Sequence, residues 1–323
     1  MKHFIWKLLM FFIIPFLFLF SLDSFLRNQN SLHKEKYKTA LKQKDSIEII
    51  ILGNSHATYG VNPTGFKKYA YNLAKVNQSI YFDKRITLSL LPKLKRIKYV
   101  LISIDYHSLY FSSQGEWDKW SYMGNGIKYK NNRTTLIDIS PSLFCYSLNV
   151  SVNLLKKRLF DEHKGGSIDF DVEKGVKLNH SIVKGYISFA KSDDYVFNSD
   201  TYKSRAELFN RIITKSTENK EIIQDLCSFL EILKKQGIVP IMFTCPTYSE
   251  YNRYLIPYIL EKNTIQMKAI CTKYHINYWN FMNSEKFKKK DFYNQDHLTE
   301  NGALKFSKII NDSILNLERL ENK

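Results

Sequence analysis

Four short apolar runs, each bounded by turn formers, constrain this chain more than any other feature. They are Ile47–Leu52, Tyr99–Ile104, Ile238–Phe243 and Ile276–Phe281. A run without polar alternation fits a strand covered on both faces, as in a parallel sheet. Pro240 cannot donate to a ladder, so it belongs near the start of its strand. Helical patterns lie between the runs. Residues 217–236 carry Ile222, Ile223, Leu226, Phe229, Leu230 and Leu233 at helical spacing, and Gly237 is a natural stop. Residues 259–274 carry Ile265, Ala269 and Ile270. From Gly302 onward Ala303, Phe306, Ile310 and Ile314 mark one face. The alternation predicts a three-layer α/β domain with a mainly parallel sheet.

The N-terminus obeys a different logic. Leu8–Leu22 reads LLMFFIIPFLFLFSL, without a charge. Extended back through Phe4, Ile5 and Trp6, it reaches the ~20 residues that cross a bilayer, with Lys7 able to snorkel. Phe20-Ser21-Leu22-Asp23-Ser24 is a poor signal-peptidase site, so the segment reads as an uncleaved anchor. The expected organisation is a transmembrane anchor at 1–24, a polar juxtamembrane stalk at 25–45, and an α/β domain at 46–323. Within that domain, residues 106–215 break the strand–helix rhythm. Rich in tyrosine and turn formers and holding Trp117 and Trp120, they read either as an insertion or cap, or as ordinary long loops. Arg27, Lys34, Lys36, Lys38, Lys42 and Lys44 follow the anchor and only Lys2 and Lys7 precede it. A plain charge count therefore puts the globular part inside. Large domains translocate despite such counts, and the expectation here is a single-pass membrane protein with an extracytoplasmic domain, periplasmic or at the cell surface.

Lys and Arg number 48 against 31 Asp and Glu, for a formal charge of +17. That favours an anionic partner, although the lysines are spread rather than blocked, as an AT-rich genome would also produce. No helix-turn-helix, zinc-finger or RNA-recognition motif occurs, so nucleic acid is not expected as a partner. The eight histidines and four cysteines lack metal-ligand spacing, and neither metal nor cofactor is expected. Cys145, Cys227, Cys245 and Cys271 contain no CxxC pair and read as small hydrophobes.

Two segments near opposite ends carry the chemistry. Gly53-Asn54-Ser55-His56 directly follows the first apolar run, and Asp296-His297-Leu298 precedes Asn301-Gly302-Ala303 and the terminal helix. Ligands of an open α/β sheet bind beyond the carboxyl ends of its strands, and Ser55 would project there. A serine needs a base to become a nucleophile, and His297 is the candidate. The Ser55 N–H would be the first oxyanion donor. The plainer alternatives are that Asn54 or Ser55 caps a helix, and that His297 caps the last one. Asp105, at the end of the second run, is either a site residue or a cap. Thr244-Cys245-Pro246-Thr247-Tyr248 reads as a substrate-contacting loop, with Cys245 a poor candidate for the nucleophile.

These residues resemble the SGNH/GDSL hydrolase superfamily, in its membrane-anchored, polysaccharide-modifying form. Gly53-Asn54-Ser55-His56 resembles the first block, with Ser55 as nucleophile. Tyr71-Asn72-Leu73-Ala74 with Asn77-Gln78-Ser79 resembles the second, with Asn77 where the family has an oxyanion-hole glycine. Asp291 through Leu298 with Gly302-Ala303 resembles the last. The resemblance spans residues 46–110 and 236–315. It implies a flavodoxin-like fold and a catalytic set of Ser55, His297, Asn294 and Asp296. Oxyanion or substrate contacts would come from Asn77, Asp105, Asn54 and His56. Two departures stand out. The family's Asp-x-x-His places the triad acid at 294, which here is asparagine, while Asp296 and Asp291 lie at other spacings. The third block, normally Gly-x-Asn-Asp, is replaced by Asp105-Tyr106-His107-Ser108. The implied function is an esterase or O-acyltransferase working on a cell-surface polysaccharide or acylated glycan through acyl-Ser55, with a membrane-bound acyltransferase as partner. The alternative is a catalytically impaired, anchored protein of the same fold that binds glycan or serves assembly.

Overall fold

The computed structural model describes residues 2–28, 32–111, 122–128, 135–144, 152, 155–156, 182–189, 196–217 and 219–321. Trp117, Trp120 and Cys145 lie outside them. The chain divides into two compact units, residues 1–38 with 114–170, and residues 39–113 with 171–323.

In the first unit, α1 (Lys2–Asn28) is 27 residues long and contains Pro15. At 1.5 Å per residue it extends about 40 Å. Its large apolar side chains from Phe4 to Phe20 are exposed, except the half-buried Leu19, and it is long and apolar enough to cross a membrane. Its last turns differ. Leu22 and Leu26 are buried with Phe25 and Leu155 packed against them. The buried Asp23 accepts hydrogen bonds from the hydroxyls of Ser140 and Ser142, and Arg27 donates to the carbonyls of Asp138 and Ile139. Those partners lie on two single helical turns, Leu136–Ile139 and Pro141–Phe144, and on Ser140 between them. Residues 114–170 thus group with the N-terminal helix rather than with the sheet. The stretch expected as a stalk is largely helical, since α2 occupies Leu32–Lys42.

The second unit runs β1 (Ile49–Leu52), α3 (Ser55–Gly60), β2 (Ala70–Asn72), α4 (Ile80–Leu90), β3 (Tyr99–Ser103), α5 (Ser199–Lys215), α6 (Asn219–Lys235), β4 (Val239–Thr244), α7 (Pro257–Tyr274), β5 (Asn277–Asn280) and α8 (Glu300–Glu321). The five strands form one parallel sheet in the order β2-β1-β3-β4-β5. All four apolar runs are strands of it. Pro240 is the second residue of β4, opposite Val100. β2 was not anticipated, because its three residues are too few for a pattern.

Period-two alternation divides the strand side chains between two faces. Ile49, Ile51, Tyr99, Leu101, Ile241 and Phe243 join Ala57 and Val61 with Ala303, Phe306, Ile310 and Ile314 of α8 in one core. Ile50, Leu52, Val100, Ile102 and Met242 point the other way and are equally buried. α6 packs on β4 and on α4, burying Leu226, Phe229, Leu230 and Leu233. A sheet covered on both faces is what unalternated strands require, and parallel pairing gathers every strand's carboxyl end at one edge. Phe306 lies in ring contact with Phe243, Phe281 and Phe287 and is fully buried. Phe306→Ala is expected to lower unfolding stability by about 3–5 kcal/mol, read as a shift of the denaturant midpoint with unchanged slope.

Candidate functional site

The edge where the strands end gathers the loops after β1, β2, β3 and β4, the turn at 294–297, and the helices α3 and α5. After β1, the backbone turns at Gly53 with φ +133°, and a Cβ there would lie 2.5 Å from that of Ser103. Only glycine meets both conditions. Asn54 then caps α3, its side-chain oxygen accepting from the His56 N–H at 2.9 Å, so the helix-cap reading of Asn54 holds. Its amide nitrogen lies 3.2 Å from His107 Nε2. An amide nitrogen only donates, so the ring accepts and His107 is neutral. Burial and the neighbouring His56 push the His107 pKa down to about 3. Ser55 is the first residue of α3 and is half-buried.

His56 is buried between two carboxylates. Its Nδ1 lies 3.2 Å from Asp105 and its Nε2 3.5 Å from Asp296. Burial opposes charge on the ring, but the carboxylates prevail and raise its pKa to about 10, so His56 is an imidazolium at neutral pH. Asp105 is correspondingly depressed: burial would raise it, and the His56 imidazolium and the Ser103 hydroxyl lower it. Its carboxylate faces the site and also accepts from the Cys245 N–H at 3.3 Å. The Asp105 carboxylate pairs with the His56 ring and the Ser103 hydroxyl rather than capping the segment that follows β3.

Asp296 has the densest surroundings. Arg205 Nε is 2.7 Å from its Oδ2, shared with His56, and His297 Nδ1 is 3.3 Å from its Oδ1. Burial pushes this carboxyl up, but Arg205, His297 and His56 hold it well below the usual range. Asn294, at the position of the expected triad acid, accepts from the N–H groups of Asp296 and His297 at 3.1 and 2.8 Å. Its oxygen also lies 3.1 Å from His297 Nδ1. Asn294 therefore shapes the turn, and both it and Asp296 reach the same ring nitrogen. Asp291 pairs instead with Lys305 at 2.8 Å. The His297 ring packs on His56 and Tyr59 of α3, at centroid distances of 5.3 and 5.5 Å, and on Phe189 at 5.5 Å. His297 thus rests on the helix that Ser55 begins.

Asn77 is exposed with φ +58°, the left-handed backbone a glycine would adopt. With Asn54, Ser79, His107 and Ser108 it lines a recess at this edge. A larger cavity lies beside Asp105, between Thr244, Asn263, Tyr278 and Asn280. Ser55 and His297 line neither. The loop after β4 is tied down, with Thr247 N–H donating to Met282 and Tyr248 N–H to Gln295. Cys245 is buried, and burial and Asp105 push its thiol well up, which disqualifies it as a nucleophile.

Sequence reading missed Arg205, His107 and Phe189. Arg205 belongs to α5, in the stretch read as insertion or loops. Its guanidinium lies over Phe209 at 4.9 Å, and Phe209 stacks on His107 at 4.2 Å. No motif marks this arginine. The capping box at Asn198 and Thr201 was the available signal for its helix. The donor atoms of His56, Asp296 and His297 lie within 4.8 Å of one another and could hold a metal ion. Their positions in sequence, one residue near 50 and two adjacent near 300, have no metal-ligand spacing. Arg205 and the His56 imidazolium already supply the positive charge Asp296 requires. No protein-family model matches the chain, and no curated protein matches it.

Asp83 supports the Gly53 turn from below, its Oδ1 accepting from the Gly53 N–H at 3.1 Å and from Gln78 at 2.7 Å. Burial raises its pKa to about 7 against those two bonds. The folded value exceeds the unfolded one of about 3.9, so the folded state holds this proton more tightly, and stability falls as pH rises from about 4 to 7. Asp83→Asn keeps the acceptor and removes the charge. Its melting temperature is expected to exceed that of the unmodified protein at pH 8, with the gap narrowing towards pH 5.

Proposed function

We propose that the chain is a membrane-anchored, extracytoplasmic serine esterase or O-acyltransferase of the SGNH type, acting on a cell-surface glycan through an acyl-Ser55 intermediate. The observation that carries this reading is the mounting of His297. Its Nδ1 is hydrogen-bonded to the Asn294 amide oxygen, with a carboxylate oxygen of Asp296 3.3 Å away, and its ring lies against the helix that Ser55 starts. The strand order 2-1-3-4-5 is the flavodoxin-like doubly wound order, which agrees with the resemblance of the motifs.

With Nδ1 engaged, proton transfer falls to Nε2. Ser55 Oγ attacks the acyl carbonyl while its proton passes to Nε2. The tetrahedral oxyanion is met by the Ser55 N–H, with Asn77 as the second donor. Collapse expels the first alcohol, which takes the proton from Nε2. The acceptor, water or a glycan hydroxyl, then loses its proton to the same nitrogen as it attacks the acyl-enzyme, and collapse returns that proton from Nε2 to Ser55 Oγ, which restores the free serine and the neutral imidazole. Asp296 stabilises the imidazolium that forms, as the triad acid does elsewhere. Hydrolysis and transfer share the acyl-enzyme step. The second reading, an anchored glycan-binding or assembly protein without turnover, draws on Asn294, whose oxygen is committed to the turn.

Both readings meet in one assay, hydrolysis of p-nitrophenyl acetate by the purified full chain. Ser55→Ala and His297→Ala are each expected to lower kcat/KM by at least about a thousandfold. Turnover unchanged in Ser55→Ala eliminates the acyl-serine mechanism, and no turnover in any form favours the binding protein.

A further inference from the structure

We propose that residues 136–143 form a second contact with the lipid bilayer, lying in its interfacial zone beside α1. The inference rests on reading α1 as the membrane-spanning segment, and adds to it a surface that no hydropathy pattern marks.

Three large apolar side chains of this segment face outward. Leu136 is 59 % exposed, Ile139 55 % and Leu143 58 %. Leu136 and Ile139, at i and i+3, share one face of the turn Leu136–Ile139, and Leu143 lies in the next turn, Pro141–Phe144, beyond the extended Ser140. The polar groups of the same segment turn inward. Asp138 caps the first turn through Thr135. Ser142 is buried, and with Ser140 it donates to Asp23. Apolar side chains turned outward with hydroxyls turned inward reverse the usual surface arrangement, so the outer medium at this place is apolar.

The hydrogen bonds fix where that place is. Residues 138–142 are fastened to Asp23 and Arg27 of α1. The charge-free stretch of α1 ends at Leu22, and the ~20 residues that match the hydrocarbon thickness end there too. Asp23 and Arg27 therefore sit at the level of the headgroups, and a segment bonded to both lies in the same plane. The exposed apolar surface of α1, from Phe4 to Phe20, supplies the continuity: the same lipid that covers the helix extends past its end to meet Leu136, Ile139 and Leu143. Side chains of this kind dip about 5–10 Å into the headgroup–acyl boundary. Such a contact, together with α1, would restrain rotation of the unit about the helix axis, which a lone anchor does not.

The test uses the full chain in phosphatidylcholine–phosphatidylglycerol nanodiscs whose lipids carry a diazirine on the acyl chain. After irradiation, lipid adducts are mapped by peptide mass spectrometry. Adducts are expected on α1 and on the peptide containing residues 136–143, several-fold above the peptide containing Tyr254 and Tyr258, which are exposed on the other unit. The triple variant Leu136→Ser, Ile139→Ser, Leu143→Ser is expected to lose the second set and keep the first. Adducts on α1 with residues 136–143 at the control level, or yields unchanged in the triple variant, overturn the interfacial contact and leave the anchor standing. Adducts on neither overturn both.

Discussion

One carboxylate organises the carboxyl-end edge of the sheet. Asp296 is fully buried and answers to three partners: Arg205 from α5, His56 from α3, and His297 from its own loop. In a low-dielectric interior an unpaired charge is costly, and removing one member of such a cluster costs about 3–5 kcal/mol. The gain from intact pairs is far smaller, since desolvation offsets most of it. The cluster is therefore better understood as a device for placement than as a source of stability. Two anions, Asp105 and Asp296, are balanced by two cations, His56 and Arg205. Balance requires that β3, α3, α5 and the 294–297 turn stand in one arrangement. His297 inherits a fixed ring orientation from that requirement.

The sheet makes the cluster reachable. Five parallel strands deliver their loops to a single edge, so residues from near 50, 100, 245 and 295 meet there although they are far apart in sequence. Glycine at 53 lets β1 pass closely by Ser103 before α3 begins, and the Asn54 cap fixes where α3 starts. Local rules therefore set the position of Ser55 and His56, and tertiary charge pairing sets that of His297. The first unit follows separate physics. Its helix keeps apolar side chains outside and satisfies its one buried carboxylate, Asp23, with serine hydroxyls.

Much of the sheet was legible because unalternated apolar runs admit few structures. The ends of β1, β3, β4 and β5 fell within two residues of the pattern, as did both ends of α6 and the start of α8. β2 and α3 are too short to carry a period. The candidate site was legible only as adjacent residue types. Asn294 at the acid position suggested a missing charge, yet the neighbouring carboxylate of Asp296 reaches the same Nδ1, because the Asn294 turn folds the two residues back together. That is a property of three dimensions. Arg205 could not be found from sequence, since an arginine on a helix between two recognisable halves has no spacing relation to either. His56, expected among the oxyanion or substrate contacts, is buried with its ring between Asp105 and Asp296, a placement the sequence does not mark.

The central claim is that the hydroxyl of Ser55 is activated by His297 held in this frame. Its most direct measurement is intact-mass and peptide-level analysis of the full chain after exposure to a fluorophosphonate. The account predicts a single phosphonyl adduct on Ser55 that is lost in His297→Ala while the fold persists by circular dichroism. An unlabelled Ser55 in the unmodified protein, or labelling indifferent to His297, would contradict it.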